Sequence, residues 1–243
     1  GHARIAGDAP KAIASYESLL EAAPADLDTR FDLARMYEDT GKLDESREHL
    51  LRVLEDDPKD VNALLAAGRV EVRRREPQAA LEHLNQALTL AVQFDNDEAR
   101  GNVLNAMGIA YRLLNKTDEA LRNYTEALEI RRRLGQKGGV AASLGEIAQV
   151  HARMGQPSEA LKNYTEALAL QREIGDTQGP ANTLLNLGNL HQDRGDYVAA
   201  LKVYRESLQL QRDTRNKTYE ALLLNNIGGA YFNQGQYEDA RTY

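Results

Sequence analysis

The sequence predicts an all-α array of antiparallel helix pairs, and three observations predict it. A hexapeptide returns at a fixed spacing of forty residues, two series of small residues share that spacing, and apolar residues around each series follow the period of a helix. Asn123-Tyr124-Thr125-Glu126-Ala127-Leu128 recurs unchanged at 163–168 and reappears, altered, as Val203-Tyr204-Arg205-Glu206-Ser207-Leu208. Gly108, Ala148, Gly188 and Gly228 form one small-residue series, and Ala120, Ala160, Ala200 and Ala240 form the other.

Around the first series the pattern is apolar-x-x-apolar-small-x-x-aromatic, as in Leu104, Met107, Gly108 and Tyr111. That spacing lines one helical face. Around the second it is small-x-x-x-aromatic-x-x-small, as in Ala120, Tyr124 and Ala127, again one face. Each unit is therefore a pair of helices that approach closely at the small residues. The spacing predicts first helices near 27–39, 61–74, 97–114, 138–154, 178–194 and 218–234. Second helices are expected near 10–22, 43–55, 77–93, 117–134, 157–174 and 197–213. Gly41, Gly155, Gly195 and Gly235 mark tight turns where left-handed backbone is needed, and Thr117, Ser158 and Asp196 are expected N-caps.

One continuous solenoid is expected over 1–243. It divides into a half unit at 1–26, 34-residue spacing in units 27–60 and 61–100 (the latter with an extended end), forty-residue units 101–140, 141–180 and 181–220, and a short final unit 221–243. The six extra residues of the long units fall around helix ends, so their helices are longer. Arg30 and Glu71 stand where the pattern expects an apolar and an aromatic residue, so the first two complete units fit it less well. Neither end carries a polar closing helix. An excerpt of a longer array is expected, with self-association through the open ends.

Composition excludes several classes. A formal charge of −7 disfavours nucleic acid and anionic membranes, and the chain has no twenty-residue apolar run. With no cysteine there is no thiol nucleophile, disulfide or thiolate metal site. His151 and His191 occupy the aromatic packing position and lack companion ligands, so no metal site is expected. Gly135 to Gly139 lacks the hydroxyl residue and spacing of a phosphate loop and reads as a hinge. No nucleophile–base constellation is present, so neither an enzyme nor a cofactor is expected. Without a signal or membrane segment, a cytoplasmic location is expected.

The small-residue series and the aromatic positions resemble the tetratricopeptide repeat family over nearly the whole chain. Leu224-Asn225-Asn226-Ile227-Gly228 is similar to the long-repeat branch that includes kinesin light chains, and Asn186-Leu187-Gly188-Asn189 to the Leu-Gly-Asn polarity adaptors. The resemblance implies a right-handed superhelical solenoid whose concave groove binds peptides. The lysine and asparagine clamp that chaperone-binding members use is not evident.

A second stripe on the first helices lies roughly 100° from the packing stripe, by the helical repeat. In the resembling family it lines the groove. Here it carries Arg69 in the second complete unit, Asn102, Asn105 and Arg112 in the third, Gln149 in the next, then Asn182 and Asn189, and finally Asn225. Asn186, Asn226, Asn233, Arg73 and Arg153 flank it. A side-chain amide offers a donor and an acceptor and can pair with one peptide group of an extended ligand. Asparagine is also a poor helix-interior residue, so its recurrence asks for a reason, although a solvated polar face is the ordinary reading. Arg69, Arg73, Arg112 and Arg153 are expected to make a positive strip suited to an acidic ligand; the alternative for the Arg73–Arg75 and Arg131–Arg133 runs is that they offset helix dipoles. The function expected is a scaffold that binds an extended, acidic protein segment. The alternative is a regulatory or sensor array of a larger signalling protein, such as a bacterial kinase.

Overall fold

The structure, a computed structural model, describes residues 2–243, with side chains from residue 9 onward. Gly1, which opens the expected half unit, lies outside the described residues. The elements are α1 (His2–Ala22), α2 (Leu27–Asp39), α3 (Leu43–Asp56), α4 (Val61–Arg73), α5 (Pro77–Gln93), α6 (Asp97–Leu113) and α7 (Thr117–Arg133). They continue with α8 (Lys137–Arg153), α9 (Pro157–Glu173), α10 (Gly179–Asp193), α11 (Tyr197–Asp213), α12 (Lys217–Asn233) and α13 (Tyr237–Ala240). No strand occurs among the described residues. Every expected helix is present within a residue or two of its expected bounds except α1, which starts at His2 rather than near residue 10. The helices group into two compact units, one through Ile130 and one from Arg131 onward.

The turns explain the period. Left-handed residues fall at Arg75, Asp95, Asn115, Gly135, Gly155, Gly175, Gly195, Arg215 and Gly235, one after each of α4 to α12 and each twenty residues from the last. Around each, the chain closes the helix in the same way: Lys42 N–H donates to the Tyr37 carbonyl past Gly41, and Gln156 to His151 past Gly155. These six-to-one bonds satisfy carbonyls that a helix end would otherwise leave open. A forty-residue unit is thus two twenty-residue halves, each a 17-residue helix and a three-residue turn, as in α8 and α9. The glycine run expected as a hinge divides differently: Gly135 makes the turn, while Gly138 and Gly139 lie in the first turn of α8.

Starts are fixed by carboxylates and amides. Asp60 accepts from the N–H groups of Asn62 at 2.8 Å and Ala63 at 3.1 Å, Asn96 from Ala99 at 3.0 Å, and Asp196 from Ala199 at 3.2 Å. Hydrogen bonds from Thr29, side chain and backbone, hold the Asp26 carboxyl below its ordinary range. Of the expected caps, Asp196 is one. Thr117 and Ser158 lie inside α7 and α9, and in α9 the first position goes to Pro157, whose missing N–H costs nothing there. Replacing Asp60 by alanine is expected to lower stability by about 1 kcal/mol, the usual worth of such a cap, as read from urea denaturation.

In the first unit, α4 packs on α5, α5 on α6, and successive first helices touch, α2 with α4 and α4 with α6. Leu64, Leu84, Val103 and Met107 fill the space between. The Tyr124 ring is fully buried and lies against Gly108, where a Cβ would come within 2.5 Å of it. In the second unit α8 packs on α9, α9 on α10, α10 on α11 and α11 on α12. Tyr204 lies against Gly188 as Tyr124 does against Gly108, and Tyr164 shares a cluster with Ala148. The small-residue series therefore receives the tyrosine of the following helix, which is why both recur together.

Ion pairs repeat with the units. In the second unit Arg132 pairs with Glu166 at 2.7 Å and Arg172 with Glu206. These groups are about half exposed, so each pair contributes less than about 1 kcal/mol. The first unit differs, because it buries acids. Glu71 stands at the packing position that the pattern gives to an aromatic residue, and it accepts from Arg47 at 2.6 Å and Arg74 at 2.8 Å. Arg30, at its expected apolar site, donates instead to the Pro24 carbonyl at 2.6 Å.

Candidate functional site

In the second unit the first helices α8, α10 and α12 carry the expected amides. Asn182, Asn189, Asn225 and Asn233 are exposed, while Gln149, Asn186 and Asn226 are half-buried. Three are linked. Asn226 Nδ2 donates to Asn189 Oδ1 at 3.2 Å, and the Tyr204 hydroxyl, rising from α11, donates to the same oxygen at 2.7 Å. Burial and the nearby Asp193 carboxylate push the Tyr204 hydroxyl above its ordinary pKa, so it keeps its proton as a donor. A hydroxyl has one proton, so the Gln192 amide, 3.2 Å away, is best satisfied by turning its NH2 toward the phenol oxygen.

This chain fixes the direction of the amides. Asn189 spends its oxygen on two donors and leaves its Nδ2 edge as a donor; Asn226 spends a donor and leaves its oxygen as an acceptor. The expected ladder thus contains one coupled pair on neighbouring first helices. Sequence reading placed Tyr204 in the packing series and missed its hydroxyl. The signal was that a tyrosine, rather than phenylalanine, recurs at a fully buried position, where a hydroxyl needs a partner. Asn225 and Asn233 also line an open hollow of about 520 Å³ beside Leu224, Gly228 and Phe232.

In the first unit, Asn102 and Asn105 lie on α6, exposed and half-buried, and both are already engaged in interactions within the protein. The arginines divide. Arg69 donates to Glu38 Oε1 at 2.8 Å, and Arg73 donates to the Glu38 backbone carbonyl and lies 3.6 Å from the same carboxylate. Glu38 is buried at the end of α2, so two of the four arginines expected in a positive strip converge on one internal acid. Arg73 and Arg112 do come together, with Arg75, in an open hollow of about 440 Å³ between the ends of α4 and α6 and the turn into α3. Arg153 ends α8 in the second unit and is engaged within the protein.

The arginine runs do stand at helix ends, Arg73 in the last turn of α4 and Arg131 to Arg133 in that of α7, and some of them make specific contacts as well. Arg74 bonds the buried Glu71, and Arg131, buried at 8% exposure, donates to the Gly139 carbonyl and Ser143 Oγ. Burial pulls the Arg131 pKa below its ordinary value. These side chains tie neighbouring helices. His151 and His191 are half-buried at the aromatic positions, His151 Nδ1 lying 2.6 Å from Gln156 Oε1 and His191 Nδ1 3.5 Å from Asp196. Among the described residues no cluster of three metal-ligating side chains forms, and no helix is long and apolar enough to cross a membrane.

Consecutive antiparallel helix pairs, with small residues at each close approach and tyrosines set against them, define a helical repeat protein. The tetratricopeptide repeat pattern matches residues 59–133, 99–173, 139–213 and 179–243, and a second pattern of the same description matches 3–69. The chain belongs to the tetratricopeptide repeat family. No curated protein matches it. Among solved structures it is similar to the tetratricopeptide repeat sensor protein of the signal transduction ATPases with numerous domains from Pyrococcus horikoshii, at 15% identity and TM-score 0.81 over 99% of this chain and 38% of that one. It is also similar to the nearly identical TPR-like repeats described as a kinesin light chain from Podosopora anserina, at 18% identity and TM-score 0.64 over 76% and 92%. A third is a Rap protein complexed with competence and sporulation factor, at 14% identity and TM-score 0.72 over 89% and 72%. At such identities these likenesses speak to the fold.

Proposed function

We propose that the chain is a protein-interaction scaffold that holds an extended peptide segment in a groove lined by its first helices. The observation that carries this is the pair Asn189 and Asn226, whose mutual bond and the Tyr204 hydroxyl leave one donor edge and one acceptor edge side by side. An extended peptide presents a carbonyl and an N–H in the same alternation, so the pair suits backbone more than any particular side chain. A preorganised amide also loses less freedom on binding than a loose one. The Rap protein, of similar fold, is solved with competence and sporulation factor bound, which agrees with a binding role. The arginines of the first unit favour an acidic segment.

A second reading is a sensor array within a larger protein. Its specific support is the Pyrococcus horikoshii ATPase, of which the matched repeat sensor is only a part.

The scaffold reading is tested by panning a random peptide library on the purified chain and measuring the selected peptides against Asn225→Ala/Asn226→Ala. Binding is expected to fall about tenfold or more, as for loss of hydrogen bonds worth about 1 kcal/mol each. The melting temperature should barely move, because the helix propensity gained from alanine offsets the bond lost between Asn226 and Asn189. Equal binding by the variant, or a library that yields no enriched sequence, would remove the proposal.

A further inference from the structure

The hollow at the ends of α4 and α6 differs in chemistry from the amide pair. Its walls carry Arg73, Arg75 and Arg112 and no carboxylate, in a chain whose net charge is −7. Its remaining surface is aliphatic, from Leu43, Val72, Ile109 and Leu113, all half-buried, so each shows part of an apolar side chain to the opening. By contrast, the hollow on α3 mixes Asp44, Glu48 and Glu55 with Arg47 and Arg52, and the hollow beside Phe232 carries no charge at all. Arg73 donates to the Glu38 carbonyl and lies 3.6 Å from its carboxylate, which favours its place in the wall. Arg75 is exposed and occupies the left-handed turn position at φ 65°, where glycine is the residue the backbone favours. The turn is therefore built with a charge where the backbone would be easier without one.

We infer that this hollow is a second recognition seat, for a partner segment in which acidic residues alternate with branched aliphatic ones. The inference rests on the scaffold reading and adds the side-chain chemistry that the amides do not read. A carboxylate placed in the hollow gains most from the exposed Arg75, with less from Arg73, which is shared with Glu38, and from Arg112, which is already engaged within the protein, while an aliphatic neighbour covers Val72 and Ile109 from water. Phosphate or a nucleic acid backbone would meet the arginines but leave the aliphatic wall uncovered, and a long polyanion would also meet the repulsion of the whole chain.

The test uses a fluorescein-labelled peptide alternating leucine and glutamate, read by fluorescence anisotropy on the full chain. Saturable binding is expected, weakening as salt rises, with about a tenfold loss in Arg75→Gly/Arg112→Gln. Arg75→Gly alone should weaken binding while the melting temperature holds or rises, which separates lost binding from lost folding. A peptide alternating leucine and lysine is expected not to bind, and one alternating serine and glutamate to bind several-fold more weakly, since it cannot cover the aliphatic wall. Failure to bind, or unchanged binding in both variants, would overturn the seat. Displacement by inorganic phosphate with no difference between the leucine and serine peptides would reduce it to an anion site and overturn the proposal, as would tighter binding of single-stranded DNA. Asn225→Ala/Asn226→Ala serves as the reference: losing library-selected peptides there while the arginine variants bind the acidic peptide normally would fail this seat and leave the scaffold reading standing.

Discussion

Replacing Tyr204 by alanine is expected to destabilise the second unit by about 3–5 kcal/mol, the range for removing a large ring from a closed core. The ring is fully buried against Gly188, with Leu208, Leu223 and Ile227 in the same cluster. The loss should be local. In a repeat protein each helix pair is stabilised mainly by its neighbours, so hydrogen exchange should quicken in α10 to α12 while α4 and α5 keep their protection. Tyr204→Phe separates the ring from its hydroxyl: it should cost only about 0.5–1.5 kcal/mol, the worth of a hydrogen bond, and release Asn189 from its fixed orientation. A Tyr204→Ala chain with unchanged exchange in α10 would show that the Gly188 seat does not depend on this ring.

The forty-residue period was legible because its cause is steric. Only a small residue lets a tyrosine ring lie on a helix backbone, so Gly108 with Tyr124 and Gly188 with Tyr204 leave a mark that survives changes elsewhere. The twenty-residue half period was hidden. Arg75, Asp95, Asn115 and Arg215 take the left-handed turn positions that glycine takes at Gly155 and Gly195, so backbone geometry repeats where residue identity does not. The amides were visible as a stripe, yet the bond that sets their direction joins Asn189 to Asn226 and to Tyr204 across three helices, and no local spacing shows it. The arginines were hardest to read. A sequence gives their sign and their face, but Arg69 and Arg73 meet Glu38 only because α2 and α4 are neighbours, and that pairing decides how much of their charge is left for a ligand.

Glu71→Ala is expected to cost about 2–3 kcal/mol, somewhat under the usual figure for breaking a buried ion pair. The carboxylate is 2% exposed, but Arg47 and Arg74 keep 42% and 28% of their side chains exposed, so water can partly compensate them once the acid is gone. The Glu71 carboxylate, first among its neighbours, holds the Arg74 guanidinium above its ordinary pKa, and Asp44 adds a weaker bond at 2.9 Å that survives the substitution. Two effects remain: the void left where the Glu71 side chain was buried, and the loss of the point where α3 is tied to the end of α4. Glu71→Met distinguishes them. It fills most of the space without pairing the arginines, and since the pair's own Coulomb gain is largely offset by desolvation, it should recover at least half of the loss in urea denaturation. If Glu71→Met is instead as damaging as Glu71→Ala, the ion network itself stabilises the first unit, and the acid at this aromatic position is a gain in stability rather than a tolerated exception to the repeat.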